Sequence, residues 1–265
     1  LHLADHKTLT KVLLKNNSTA FGYEIVEDND GNLPLLTPMS EIAGKLAVII
    51  GANYLRHDLM GRGILLSEVH EKPQGHITIL GAGTAGFSAL KIAHGLGAHV
   101  NIIDIDVKRL RKIHQHYRKN IHTFLPRPST LKRLLTETDL LIGAVHIKGR
   151  KASKIISKKM IQTMPKGSVI VDVSIDQGGC VASSQTTSIE KPIYLYHDII
   201  HFCVPNIPSL VHLTATKALT DQTLPYIQKI ARWGGDKVIK HDKALKRGLY
   251  TAHGKILPPG LRPNG

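Results

Sequence analysis

Three glycines in the middle of the chain, Gly81, Gly83 and Gly86, are spaced as GxGxxG. They follow the apolar segment His76–Leu80, which predicts a buried strand, and they begin a segment with the apolar spacing of a helix. In this context the first glycine permits a tight turn, the second lets the backbone approach a pyrophosphate, and the third allows close helix packing. The N–H groups at the start of the helix would bind phosphate oxygens. The turn therefore predicts a dinucleotide site, with a glycine-rich turn that binds nothing as the alternative.

An acid at the end of the next predicted strand extends this site. The segment His99–Ile103 predicts a second buried strand, and Asp104 follows it at close to the spacing of about 20 residues that the motif requires. The Asp104 carboxylate would accept hydrogen bonds from the adenosine ribose hydroxyls and would repel a 2′-phosphate. NAD is therefore favoured over NADP as the cofactor, although the neighbouring cations Lys108 and Arg109 weaken that preference.

Polar residues also follow a later apolar segment. Residues 168–173 predict a buried strand, and the chain continues as Ser174, Ile175, Asp176 and Gln177 before two glycines. Ligands of doubly wound sheets bind at the carboxyl ends of the strands, so Asp176 is a candidate for chemistry. The alternative is that Asp176 caps a turn.

Histidine and cysteine give weaker signals. The chain has 16 histidines, so composition alone singles out none of them. Cys180 and Cys203 lack the spacing of a metal site or a redox pair. We therefore predict that both cysteines are buried apolar residues and that the protein holds no metal.

Strands and helices alternate through the middle of the chain. Beyond the two strands above, strands are predicted at residues 140–145, 168–173 and 193–196, and helices at 84–96, 108–119, 129–135 and 153–164. Near-continuous apolar strands that alternate with helices are typical of a parallel sheet covered on both faces. The predicted fold class is therefore α/β, a Rossmann-type doubly wound parallel sheet flanked by parts of a second α/β domain.

The flanking segments predict fewer elements. Apolar spacing predicts a helix at residues 9–16, a short strand at 22–26, and a helix from an N-cap at Ser40 to about residue 55. Residues 56–75 are polar and glycine-rich, which predicts a linker. After Pro208 a helix is predicted to about residue 233, and a polar tail follows it.

Composition excludes several classes of protein. Of 265 residues, 42% are hydrophobic, which suits a folded chain with a substantial core. No apolar run approaches the roughly 20 residues of a membrane-spanning helix, no secretory leader is recognisable, and two cysteines do not indicate an oxidising compartment. We therefore predict a cytoplasmic protein without a membrane partner. Because the sequence begins with Leu, we expect a processed chain or a segment of a longer one.

The chain is strongly basic. Its 35 Lys and Arg against 20 Asp and Glu give a net charge of +15, and residues 107–135 hold nine of the basic residues without an acid. Such a field would attract polyanions, so nucleic-acid binding is one hypothesis. No helix-turn-helix pattern or alternation of aromatic and basic residues accompanies the charge, so a solvated basic surface is favoured.

Six motifs in order make the sequence familiar. They are LHLA at residues 1–4, YE at 23–24, LPLLTPMSEIAG at 33–44, GAGTAG at 81–86, IDQGGC at 175–180 and CVPNIP at 203–208. Together the chain resembles the bacterial NAD-dependent alanine dehydrogenase family, from residue 1 to about residue 257. The motifs at 33–44, 175–180 and 203–208 are the most specific of the six.

The resemblance implies a reaction and the residues that perform it. The family interconverts L-alanine with pyruvate and ammonia, with NAD as the cofactor. Its catalytic histidine lies in LHLA, which puts that role on His2, and its catalytic aspartate lies in IDQGG, which puts that role on Asp176. An imidazole with an unperturbed pKa of about 6.5 suits proton transfer at neutral pH. A carboxylate beside it can orient water and stabilise the cationic imine.

The resemblance also implies cofactor contacts and an assembly. The predicted cofactor-binding residues are Ser40, Gly81, Gly83, Thr84, Ala85, Gly86, Asp104, Arg109, Val145, Val173, Ser174, Ile175, Asp176, Val204, Asn206 and Ile207. Residues 1–40 would be the remainder of an N-terminal substrate domain, 41–206 the NAD-binding domain, and 207–265 helices that return to the substrate domain and a tail. A homo-oligomer is expected, because hexamers are usual in the family.

One departure from the family keeps three hypotheses open. In the family, most of the substrate domain precedes LHLA and includes the arginine and lysine that bind the substrate carboxylate. We favour the hypothesis that this chain is the C-terminal portion of an alanine dehydrogenase, with the missing segment acting in cis or in trans. The second hypothesis is a catalytically dead NAD-binding protein or decayed gene product. The third is a nucleic-acid-associated basic protein.

Overall fold

The computed structural model describes residue 3 and residues 7–72, 74–117, 119–147 and 151–257. The chain divides into two compact units. One, here the sheet unit, comprises Ser40–His146 and Ala152–Ser209. The other, here the terminal unit, comprises Leu1–Met39, Ile147–Lys151 and Leu210–Gly265.

The described part of the chain contains the following elements. The helices are α1 Lys7–Lys15, α2 Thr37–Tyr54, α3 Thr84–Gly95, α4 Val107–His116, α5 Pro128–Leu135, α6 Lys158–Ile161, α7 His212–Trp233, α8 Gly235–His241 and α9 Lys243–Arg247. The strands are β1 Ala20–Phe21, β2 His76–Leu80, β3 His99–Ile103, β4 Ile121–Phe124, β5 Leu140–Gly143, β6 Val169–Asp172, β7 Ile193–Tyr196, β8 Ile199–Phe202, β9 Leu249–Ala252 and β10 Lys255–Ile256. Short 3-10 turns lie at Tyr23–Ile25, His57–Leu59, Val173–Gln177 and Ile207–Val211.

The sheet unit is built on a sheet with the strand order β4-β3-β2-β5-β6-β8-β7. All neighbouring pairs are parallel except the last, in which β7 pairs antiparallel with β8. From β4 to β8 the order matches that of the nucleotide-binding α/β fold, in which the chain starts at the centre and adds strands on both sides. The predicted fold class is confirmed.

The strands are apolar because both faces of the sheet are covered. Ile77 and Ile79 of β2 belong to one buried cluster together with Leu90 of α3. Leu80 of the same strand belongs to the cluster on the other face, together with Leu131 of α5. This alternation with a period of two is the geometry of a strand, and burial of each such side chain contributes about 1.5–3 kcal/mol.

The terminal unit has its own small core and sheet. In its antiparallel sheet, β9 lies between β1 and β10. Val26, Leu35, Val238 and Leu245 form a buried cluster in the same unit. Within the described residues, no helix combines the length and the apolar composition needed to cross a membrane.

Two predictions near the N-terminus are wrong. The predicted strand at residues 22–26 is a 3-10 turn, because the N–H of Ile25 bonds to the Gly22 carbonyl, while the strand lies earlier, at β1. The helix predicted to start at Ser40 starts at Thr37, whose N–H and hydroxyl both donate to the Leu33 carbonyl. Ser40 therefore lies within α2 and is not its N-cap.

The segment predicted as a linker is folded onto the sheet unit. Leu66 is fully buried in the main cluster of this unit, and the Glu68 N–H donates to the Leu96 carbonyl at 2.9 Å. Arg62 forms an ion pair with Asp139 at 2.8 Å. Polarity and glycine content alone did not reveal these tertiary contacts.

Three further segments differ from the sequence predictions. Residues 153–164 hold only the four-residue α6, because the N–H groups of Ile155 and Ile156 bond to the Cys180 carbonyl outside any helix. The strands β4 and β8 were not predicted. The predicted polar tail contains α8, α9, β9 and β10.

Candidate active site

The glycine turn lies between β2 and α3, as its sequence predicted. Gly81 has a φ of +94°, and a Cβ there would lie 2.5 Å from the Ala144 carbonyl oxygen. A Cβ on Gly86 would collide with the carbonyl oxygen of Gly81. Among the described residues, nothing lies within 4 Å of the Cβ position of Gly83, so the turn is open where a pyrophosphate would approach.

Asp104 is fixed against the glycine turn. Its Oδ2 accepts the Ala82 N–H at 2.6 Å and its Oδ1 accepts the Asp106 N–H at 2.8 Å. Arg109 Nη1 lies 3.5 Å from the same Oδ2, and the Asp104 side chain is 10% exposed. Because each carboxylate oxygen keeps a further lone pair, the site can still accept hydrogen bonds from two ribose hydroxyls.

Helix α2 passes close to the same turn. A Cβ on Gly44 would collide with the Ala85 carbonyl oxygen, so the backbones of α2 and the turn are in close contact. Ser40 lies four residues before Gly44 and therefore shares its helix face. Ser40 therefore lies on the side of α2 that contacts Ala85 through Gly44, one helical turn before that contact.

The loops after β5 and β6 are joined by a hydrogen bond. The Val145 N–H donates to Ser174 Oγ at 2.9 Å, which links the ends of the two neighbouring strands. Val173, Ser174 and Ile175 lie in the 3-10 turn that follows β6, and the same turn ends just after Asp176. These residues therefore lie at the carboxyl edge of the sheet, together with the glycine turn and Asp104.

The carboxylate of Asp176 is exposed and is held by the segment after β8. Its Oδ1 accepts the N–H of Asn206 at 3.0 Å. Asn206 has a φ of +51°, and its neighbours Val204 and Ile207 are buried. The exposed Asp176 residue therefore lies at the same edge of the sheet as the glycine turn.

The candidate catalytic histidine, His2, lies outside the described residues. Cys180 and Cys203 are buried with free thiols, and burial raises the pKa of Cys203 to about 11, so neither thiol is a ready nucleophile at neutral pH. No group of three or more His, Cys, Asp or Glu within the described chain could hold a metal ion.

One buried acid at this edge had not been singled out from the sequence. Asp172, the last residue of β6, is fully buried, and burial raises the pKa of its carboxyl. Its sequence neighbours are apolar, so the pattern showed only a strand. The signal that could have identified it is the acid itself, because an ionisable group within a buried strand needs partners.

Comparison with known proteins decides the family. The family model described as "Alanine dehydrogenase/PNT, C-terminal domain" matches residues 47–259. The alanine dehydrogenase of Mycolicibacterium smegmatis is 40% identical over 257 residues, which cover 97% of this chain and 69% of that protein. The chain belongs to the alanine dehydrogenase/PNT family. Its similarity to family members extends beyond the matched C-terminal domain to nearly the whole chain.

Two further family members agree. The alanine dehydrogenase of Staphylococcus saprophyticus is 41% identical over 262 residues, which cover 98% of this chain and 71% of that protein. A solved L-alanine dehydrogenase structure matches with a TM-score of 0.90 and 42% identity, over 98% of this chain and 72% of that one. The family resemblance seen in the sequence motifs is confirmed.

The site fits the dinucleotide that this family uses. The turn is open at Gly83, and the carboxylate of Asp104 is held beside the turn by the Ala82 N–H. The family and these two observations agree on NAD as the cofactor. The chain is thus a member of a family of NAD-dependent amino-acid dehydrogenases.

Proposed function

We propose that this chain takes part in the reversible oxidation of L-alanine to pyruvate and ammonia. The observation that supports this most directly is the Asp176 carboxylate, which is exposed at the same sheet edge as the glycine turn and is held by the Asn206 N–H. The motif that contains Asp176 also resembles the family motif that carries its catalytic aspartate. A cofactor site and a carboxylate on one edge are two of the parts that such a reaction needs.

The cofactor is bound by the chain's own backbone and one acid. The first N–H groups of α3 and its positive dipole end bind the pyrophosphate, and Asp104 binds the adenosine ribose. Ser40, Arg109, Val145, Val173, Ser174, Ile175, Val204, Asn206 and Ile207 complete the proposed cofactor contacts. Bound NAD supplies the hydride acceptor, and the protein residues orient the substrate and move protons.

Asp176 and His2 share the proton chemistry in this proposal. Removal of hydride from the substrate Cα leaves an iminium ion, which water must attack before ammonia can leave. The Asp176 carboxylate stabilises the positive charge and orients the water. His2 accepts a proton from that water and returns it to the leaving nitrogen, a role that suits an imidazole.

Turnover and its dependence on two residues test this proposal. NADH oxidation is followed with pyruvate and ammonium, first with this chain alone and then with the N-terminal segment of a family member added in trans. We expect NADH oxidation that needs both pyruvate and ammonium and is lost in His2→Ala and in Asp176→Ala. Binding of NADH without turnover under either condition would support the dead NAD-binding protein instead.

The remaining proposals concern assembly and location. The family resemblance suggests a homo-oligomer, with a hexamer as the expected size, and sedimentation equilibrium of the purified chain measures it. The sequence composition predicts a cytoplasmic location, which cell fractionation tests. The boundaries 1–40, 41–206 and 207–265 stand as the proposed functional division of the chain.

A further inference from the structure

A single buried carboxylate holds both ends of the loop that carries Asp176. Asp172 Oδ1 accepts the Ser174 N–H at 3.1 Å, at the start of the loop. Asp172 Oδ2 accepts the N–H groups of Cys180 at 3.0 Å and Val181 at 3.2 Å, at its end. The hydroxyl of Ser184 donates to the same Oδ2 at 2.6 Å. The Cys180 thiol also donates to Oδ1, at 3.6 Å, so five donors converge on one side chain.

The backbone around Asp172 leaves room for a carboxylate. A Cβ on Gly143 would lie 2.7 Å from Asp172 Oδ1, and a Cβ on Gly179 would lie 2.7 Å from Oδ2. Gly179 also has a φ of +77°, which a residue with a side chain rarely adopts. A Cβ on Gly143 would also lie 2.6 Å from the Cys180 Sγ, so both glycines leave room for the carboxylate and its partners.

The donors suit an ionised carboxylate better than any neutral replacement. Burial raises the pKa of Asp172, but hydrogen bonds from Ser184 and Val181 act in the opposite direction. An amide in place of the carboxylate has one acceptor oxygen, so its NH₂ group would face either the Ser174 N–H or the three donors at Oδ2. Asp172→Asn therefore detaches at least one end of the loop.

Asp176 lies between the two attachment points. It follows Ser174 by two residues and precedes Cys180 by four. The carboxylate Oδ1 of Asp176 accepts the Asn206 N–H at 3.0 Å. We propose that Asp172 is a positioning residue, which holds the Asp176 carboxylate in place by fixing both ends of its loop. This inference rests on the proposed function of Asp176.

Amide hydrogen exchange tests the positioning directly, in the full chain and without any need for turnover. In Asp172→Asn, we expect exchange of the Ser174 and Asn206 amides to accelerate at least tenfold, because the loop and the Asp176 carboxylate lose their fixed positions. The matched control is Asp139→Asn, the same substitution of a buried acid at the opposite edge of the sheet. There the His76 amide, which donates to Asp139 at 2.8 Å, should exchange faster while Asn206 stays within threefold of the wild type.

Kinetics separate the positioning role from general stability. Where the wild-type assay gives turnover, Asp172→Asn should lower kcat at least tenfold with KM for NAD changed less than threefold, and Asp139→Asn should change both less than threefold. If Asp172→Asn does not fold, Ser184→Ala removes one donor instead, and we expect a severalfold faster exchange at Asn206.

The outcomes distinguish the two proposals. Unchanged exchange at Asn206 in Asp172→Asn, or an equal acceleration in Asp139→Asn, would overturn the positioning role even if the wild type turns over alanine. If Asp172→Asn does not fold, unchanged exchange at Asn206 in Ser184→Ala would also overturn the positioning role. Accelerated exchange only in Asp172→Asn, in a chain without turnover, would support the positioning role and count against the proposed activity.

Discussion

The two edges of the seven-stranded sheet carry different chemistry. At the carboxyl edge, Asp104, Asp172 and Asp176 each accept at least one backbone N–H, and the glycine turn lies among them. At the amino edge, the ring of His99 lies with its centroid 4.7 Å from those of His76 and His122, tilted against the first and stacked on the second. The first edge fixes acceptors beside loops, and the second packs imidazoles side by side on neighbouring strands.

The difference follows from where the chain leaves the strands. At the carboxyl edge each strand opens into a loop or a helix start, whose N–H groups need acceptors and can bind a ligand. At the amino edge the side chains lie on the strands themselves, where neighbouring rings face one another. Function is thus expected at one edge, and a contribution to stability at the other.

The largest effect is expected at the exposed carboxylate. Asp176→Ala should lower kcat about 100-fold or more, because the iminium ion and its attacking water lose their charged partner, while the Kd for NADH should rise much less than kcat falls. Steady-state NADH oxidation and a fluorescence titration measure the two quantities. Asp198→Ala, an exposed acid on the β7–β8 hairpin, is the control and should have no effect. Equal losses in both variants would remove Asp176 from the site.

A methyl group in the glycine turn should weaken cofactor binding. Gly86→Ala places a Cβ against the Gly81 carbonyl, and such a clash costs about 1–3 kcal/mol, so we expect Kd for NADH to rise roughly 10- to 100-fold. Gly95→Ala is the same change in the same helix, where no described atom lies within 4 Å of the new Cβ. That control should bind NADH normally. Normal binding by Gly86→Ala would show that the turn is not part of the cofactor site.

The carboxylate at the ribose position should set the choice of dinucleotide. Asp104→Ser removes a negative charge that would face a 2′-phosphate, so the ratio of Kd values for NADPH and NADH should fall about tenfold, or about 1.4 kcal/mol. Asp106→Ser removes a nearby charge that instead caps α4 through the Arg109 N–H. If both variants shift the ratio equally, the preference comes from the general field of the basic segment and not from Asp104.

The sequence was most informative where local pattern and function coincide. The runs in β2 and β3 are mostly apolar, and the glycine turn and Asp104 follow them directly, so fold class and cofactor site could be predicted together. Strand β8 and its hairpin were missed because the turn residues His197 and Asp198 both adopt positive φ without a glycine between the strands. A turn built from such residues gives little signal in the sequence.

The rest required contacts between distant residues. Asp172 looks like one polar residue in a strand, and its partners Cys180, Val181 and Ser184 lie 8 to 12 residues further on. The helix predicted at 153–164 failed for a related reason, because Ile155 and Ile156 bond to the same loop at Cys180. Apolar spacing predicts a helix correctly only where the backbone N–H groups bond within that helix and not to distant residues.

The smallest effect is expected from the histidines at the amino edge. Burial lowers the pKa of His99, the neighbouring His76 and His122 lower it further, and Glu137 opposes them. The unfolded chain therefore binds more protons than the folded chain below the ordinary pKa of 6.5, so the free energy of unfolding should fall as the pH drops below that value.

In His99→Gln the free energy of unfolding should fall less as the pH drops. The slope of that free energy against pH should decrease by an amount that corresponds to less than one bound proton. Urea unfolding at several pH values between 8 and 5 measures it. His114→Gln, an exposed histidine on α4, should leave the slope as in the wild type. A slope that does not change in His99→Gln would mean that the stacked rings do not respond to protons. NADH binding at pH 7 should be the same in both variants, because the amino edge lies at the other end of the strands from the glycine turn.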